Sequence, residues 1–150
     1  MLIALVLFTL AAPTEPPKAK ELPAEAKKEL KKLEGKWRMV RLVDAEKDSG
    51  LMKDADAYYV FKGTELTVSY GEKSTTLLIT AIDTSADPKC IDLTEMVKDK
   101  PGRTLEGVYK IDGDTLLLAV AAPKEGKERP TGFEKPTGRV VAWTFKRVNE

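Results

Sequence analysis

The alternation of apolar and polar positions divides the chain into one short helix and a succession of strands. Leu22, Ala26, Leu30 and Leu33 recur at spacings of four, four and three, which makes one narrow apolar stripe along a helix. Lysines and glutamates fill the positions between them, as on a solvated face. Pro23 is admissible at the first turn, and Gly35 is a stop signal. From Gly35 onward the period changes to that of strands. In 37–43, Trp37 and Met39 share one face while Val40 and Leu42 share the other, so the strand is buried on both sides or carries a bulge. Residues 44–56 are polar and predict a loop. The runs 58–61 and 65–70 follow, joined at Lys62-Gly63, with Leu66, Val68 and Tyr70 alternating against polar neighbours. Gly71-Glu72 turns into a Thr- and Ile-rich strand at 74–82, and a turn around Pro88 leads to a short strand at 90–93.

A tight turn is expected at 99–102, and the strongest local signal comes next. Two alternating runs, 105–111 and 114–120, flank Asp112-Gly113, the sequence of a two-residue hairpin turn with positive φ at both central positions. Leu105, Tyr109, Ile111, Leu116, Leu118 and Val120 are expected to point inward. Asp112 and Asp114 are turn residues rather than a metal or acid pair. Residues 123–138 form a long proline- and glycine-containing connection, of the kind that is often functional or mobile. A last strand at 140–148 puts Val141, Trp143, Phe145 and Arg147 on one face. About eight strands joined mostly by short turns predict an all-β, antiparallel up-and-down barrel with a short N-terminal helix, a fold that removes sheet edges by closing on itself.

A chain of 150 residues has room for one such domain, here 24–150. Met1 to Leu10 is apolar and is followed by Ala11-Ala12-Pro13, the length of a signal-peptide core, although no Lys or Arg precedes it. Residues 1–12 are therefore expected to direct export and be cleaved; a buried first strand or an uncleaved anchor are the alternatives. Residues 13–23 hold four of the nine prolines and read as a disordered spacer. The expected location is periplasmic or extracellular, with no stable membrane insertion after processing, and the expected state is a monomer.

Composition excludes more chemistry than it suggests. No histidine is present, which removes Ser-His-Asp and Cys-His catalysis and His-ligated zinc. Cys90 is the only cysteine, so no intrachain disulfide or thiolate-rich metal site forms, and a half-buried packing role suits it. The net charge of +1 offers no global field for nucleic acid. No phosphate loop is present, and Asp54 and Asp56 lie in a polar loop with no reason for a raised pKa. We expect no enzyme, no cofactor and no metal.

The Gly35-Lys36-Trp37 opening, with Arg147 near the end of the last strand, resembles the lipocalin-type barrels. That resemblance implies a tryptophan at the closed end, with a basic residue of the final strand packed over it as a cation–π pair. From Leu33 onward the chain is similar to a family of uncharacterised lipocalin-like domains of planctomycete bacteria. The matching stretches are LEGKW (33–37), PKCIDL (88–93), LEGVYKIDGDTLLLAVA (105–121), ERPTGF (128–133) and the closing strand. The resemblance implies a fold and export, not a substrate. Ala119 stands where many such relatives carry cysteine, so no thiol role for Cys90 is implied.

Two functions remain open. A binding barrel would hold a small apolar ligand in or at its mouth, lined by Tyr59, Phe61, Tyr70, Tyr109 and Trp143, although the same residues would equally fill a core. Arg129 is then a polar anchor and Phe133 belongs to a mouth loop or plugs the barrel. Alternatively, the barrel is filled and serves as an interaction or inhibitor-like module for an envelope protein, with the 123–138 loop and the helix as contact surfaces. Gly35, Trp37 and Arg147 are the structural signature.

Overall fold

The computed structural model describes residues 21–44, 47–121, 129–134 and 140–149, so the expected signal peptide and most of the spacer lie outside the described residues. Helix α1 (Ala24–Leu33) is followed by β1 (Gly35–Val43), β2 (Ala57–Lys62), β3 (Glu65–Tyr70), β4 (Lys73–Asp83), β5 (Lys89–Val97), β6 (Lys100–Asp112), β7 (Thr115–Ala121) and β8 (Val140–Arg147). Each strand pairs antiparallel with the next, and β1 pairs with β8, which closes an eight-stranded barrel. The all-β up-and-down barrel with one short helix is therefore the fold of this chain.

The helix lies across the end of the barrel where β1 begins and β8 ends. It buries Ala26, Leu30 and Leu33, the stripe that the spacing predicts, and also Glu29. Gly35 has φ of +119° and leads straight from helix to strand; a Cβ there would lie 3.2 Å from Arg147 Nη1, so both backbone and space call for glycine. The double-sided apolar pattern of β1 is resolved by a bulge between Met39 and Arg41. Trp37 and Met39 face inward before it, and Leu42 packs on the core after it.

Two turns differ from expectation. Asp112 pairs with Thr115, so the β6–β7 loop is Gly113-Asp114, and only Gly113 has positive φ (+57°). Glycine at the first central position, rather than Asp-Gly at both, makes this turn. Two positive φ values occur instead at Lys98 (49°) and Asp99 (63°), between the paired residues Val97 and Lys100. The turn expected at 99–102 is thus at 97–100, two residues earlier, and Pro101 and Gly102 belong to β6. The strand expected at 90–93 runs on to Val97, held by pairing to β4 and β6 on its two sides.

The interior is packed towards the helix end. Leu33, Trp37, Leu66, Leu116 and Phe145 have no accessible surface. A water-sized hollow beside them would leave measurable area on their side chains, so side chains fill this floor. A second apolar cluster lies on the outer wall, where Val108, Ala119 and Ala142 are buried under Phe133, with Cys90 and Val140 alongside.

Candidate functional site

The open end of the barrel, opposite α1, gathers the aromatic residues that strand alternation aims inward. Tyr59 of β2 is the hub. Its ring centroid lies 4.5 Å from that of Phe145, 6.0 Å from that of Trp143 and 6.5 Å from that of Tyr70, the last edge-to-face. Tyr59 is nearly buried whereas Tyr70 is 45% exposed, so the cluster steps from core to solvent. The two hydroxyls lie 3.2 Å apart. One donates to the other, which leaves the accepting phenol's own O–H for a further partner. Burial, with the neighbouring Tyr70 hydroxyl adding to it, pushes the Tyr59 phenol well above its ordinary range, so it stays protonated.

Trp143 supplies a second donor. Its Nε1 is sealed from solvent and has no hydrogen-bond partner among the described residues. Buried indole N–H groups ordinarily find an acceptor, and leaving one unmade costs about 1–3 kcal/mol. Leu42, Met52 and Leu105 pack around the same interior. Leu51 (82% exposed), in the β1–β2 connection, and Val97 (57%), the last residue of β5, stand at this end and, with Tyr70, are the exposed large apolar side chains among the described residues. Sequence reasoning missed Met52, because it lies in a polar loop; its N–H, which donates to Val40 O at 2.8 Å, ties that loop to β1.

The other expected site residues lie elsewhere. Phe61 is buried, 2% exposed, and is part of the filled interior. Tyr109 is at the helix end, where its hydroxyl donates to Glu29 Oε2 at 2.8 Å. Burial alone would raise the Glu29 carboxyl, but hydrogen bonds from Lys32, Lys89 and Tyr109 outweigh it and hold the group down at about 2.

Arg129 and Phe133 are neither at the mouth nor inside. Phe133 covers Val108, Ala119 and Ala142 on the outer wall. Arg129 lies on the same wall, where its Nη1 donates to Gly107 O at 2.9 Å and approaches Ile91 O at 3.4 Å. Asp92 Oδ1 is 2.7 Å from that nitrogen and is held by charge, because the N–H groups are directed at the carbonyls. The segment 129–134 is thus a strap fastened across β5 to β8. The cause is the pattern of β7, where consecutive apolar residues make both faces of the strand buried.

Gly35, Trp37 and Arg147 do come together. The Arg147 guanidinium carbon sits 4.0 Å from the Trp37 ring centroid, the cation–π contact that the resemblance implies. No group of three or more His, Cys, Asp or Glu side chains is placed to hold a metal among the described residues. The open end therefore presents the exposed Tyr70 ring and hydroxyl, with the Tyr59 ring and the Trp143 N–H sealed behind them. The chain matches no protein-family model, no curated protein and no solved structure.

Proposed function

We propose that this barrel binds a small, largely apolar, uncharged molecule at its open end, and that the molecule carries a hydrogen-bond acceptor. The observation that carries the reading is the Trp143 Nε1, sealed and without a hydrogen-bond partner among the described residues, on a ring that packs beside Tyr59. A carbonyl or ether oxygen would satisfy it once the side chains over it shift on binding, while a flat body stacked on the exposed Tyr70. Because the floor is filled, the ligand would sit at the mouth rather than deep inside. The apolar run at Met1 to Leu10 supports export before the barrel meets this ligand.

The test is native mass spectrometry of protein purified without detergent from an exporting host. A reproducible adduct on the order of a few hundred daltons, lost on denaturation and absent from Trp143→Phe, is expected. A bare mass for the wild-type chain overturns the reading. The exposed rim of Leu51, Tyr70 and Val97 favours a second reading, an envelope protein docked over the same end. In that case Val97→Lys abolishes co-purification of the partner, and no small adduct is seen.

A further inference from the structure

The end of the barrel closed by α1 carries a cleft of about 520 Å³, within the range of small-molecule sites, bounded by the helix, the approach to β5 and the β6–β7 hairpin. Lys32, Lys89, Lys110 and Arg147 line it, against the carboxylates of Glu29 and Asp87. Glu29 organises these charges. Its side chain is 6% exposed, and its Oε1 lies 2.6 Å from Lys32 Nζ and 3.0 Å from Lys89 Nζ, while Oε2 accepts from Tyr109. One carboxylate oxygen thus fixes two ammonium groups side by side. Each ammonium has three donors and commits one of them to Glu29, and the two side chains remain 60% and 37% exposed. Across the cleft the cations Lys32, Lys89, Lys110 and Arg147 outnumber the carboxylates Glu29 and Asp87, so a net positive charge faces it. Of these cations, Lys110 makes no hydrogen bond or ion pair among the described residues.

The C-terminal end of a helix ordinarily repels anions through its open carbonyls. Here three of the last four are occupied. Leu30 O accepts from Glu34 N at 3.0 Å, Lys32 O from Arg147 Nη2 at 2.9 Å, and Leu33 O from Trp37 Nε1 at 2.8 Å. Arg147 commits two of its five N–H groups to Glu34 O and Lys32 O, and its Nε lies 3.8 Å from Asp114 Oδ1, so part of its charge is already offset and it serves chiefly as a wall. Pro88, Ile111 and the Tyr109 ring give the cleft apolar surface beside the ammonium groups.

We propose that this basal cleft binds a small organic anion, its phosphate or carboxylate head held by Lys32, Lys89 and Lys110 and its apolar body lying on Pro88 and Ile111. The site is independent of the open end and of whatever binds there.

The experiment is an amide-shift titration of the full barrel domain by NMR with phenyl phosphate, with benzoate, and with sodium chloride at matched ionic strength. Saturable shifts at Lys89, Lys110 and Gly113 are expected with phenyl phosphate, benzoate or both, and the tighter of the two names the head group. Lys110→Met, which removes an ammonium with no hydrogen bond or ion pair among the described residues, is expected to weaken binding about tenfold. Lys89→Met weakens it further. Shifts that are linear in concentration, equalled by chloride or unchanged by Lys110→Met overturn the proposal. So do shifts confined to Tyr70 and Trp143, which would move the anion to the open end.

Discussion

Arg147, at the end of the last strand, stacks on Trp37 near the start of the first and, through the same guanidinium, caps the helix between them. Its carbon lies 4.0 Å from the indole centroid, and its two terminal nitrogens donate to Lys32 O and Glu34 O. Trp37 itself donates to Leu33 O. One residue pair therefore closes the β1–β8 seam and satisfies carbonyls that a helix end leaves open.

Trp37→Ala should destabilise the protein by about 3–5 kcal/mol, because it empties a fully buried position. Arg147→Ala should cost about 2 kcal/mol through lost hydrogen bonds to the helix end. The two should not add. Urea unfolding of both single variants and the double variant should yield a coupling of about 1 kcal/mol or more, and additivity within about 0.5 kcal/mol would remove the pairing.

Gly107 is constrained by space rather than by φ. A Cβ there would meet Ala119 O at 2.7 Å and Val120 Cγ1 at 2.8 Å, and the carbonyl cannot rotate away because it belongs to the neighbouring strand. Gly113, by contrast, has φ of +57° and nothing within 4 Å. Gly107→Ala should therefore cost about 3 kcal/mol and Gly113→Ala about 1 kcal/mol. The opposite order in thermal unfolding would mean that β6 and β7 do not approach as closely as described.

What was legible in the sequence is what depends on short spacings. The inward set Tyr109, Leu116, Leu118 and Val120 follows from alternation on either side of one turn, and β7 pairs with β6 in that register. The meeting of Tyr59, Tyr70 and Trp143 follows from the same rule applied across a closed barrel. Glu29 was illegible because it looks like any charge on a solvated helix, while its partners Lys89 and Tyr109 are far along the chain. Lys98-Asp99 carries no glycine or asparagine to announce a turn; strand pairing imposes it. Arg129 and Phe133 were misplaced, yet a signal existed. The unbroken apolar run of β7 leaves Ala119 and Ala121 facing outward, and such a face needs a cover.

That cover should also govern Cys90. The thiol is half-buried and packs with Phe133 against Val108 and Ala119. Phe133→Ala should cost about 3 kcal/mol if the strap is firmly seated. It should also accelerate modification of Cys90 by a neutral thiol reagent, while leaving ligand retention at the open end unchanged. Equal modification rates in the two proteins would show that Phe133 does not shield the thiol.

The ionisation of Glu29 should appear in the pH dependence of stability. The unfolded carboxyl titrates near 4.5, and the folded one is held at about 2. The folded pKa is depressed, so the contribution is complete above the unfolded value and disappears as pH falls from about 4.5 towards about 2. With the side chain 6% exposed, the shift corresponds to about 3 kcal/mol at neutral pH. Glu29→Gln keeps the shape and an acceptor for Tyr109 but loses the charge that gathers Lys32 and Lys89. Urea unfolding of the two proteins should differ by about that amount at neutral pH, and the gap should narrow steadily as the pH is lowered towards about 3. Other carboxylates titrate in both proteins and cancel in the difference. A gap that stays constant with pH would mean that the Glu29 charge contributes nothing, and that the contact of α1 with the barrel floor rests on Ala26, Leu30 and Leu33 alone.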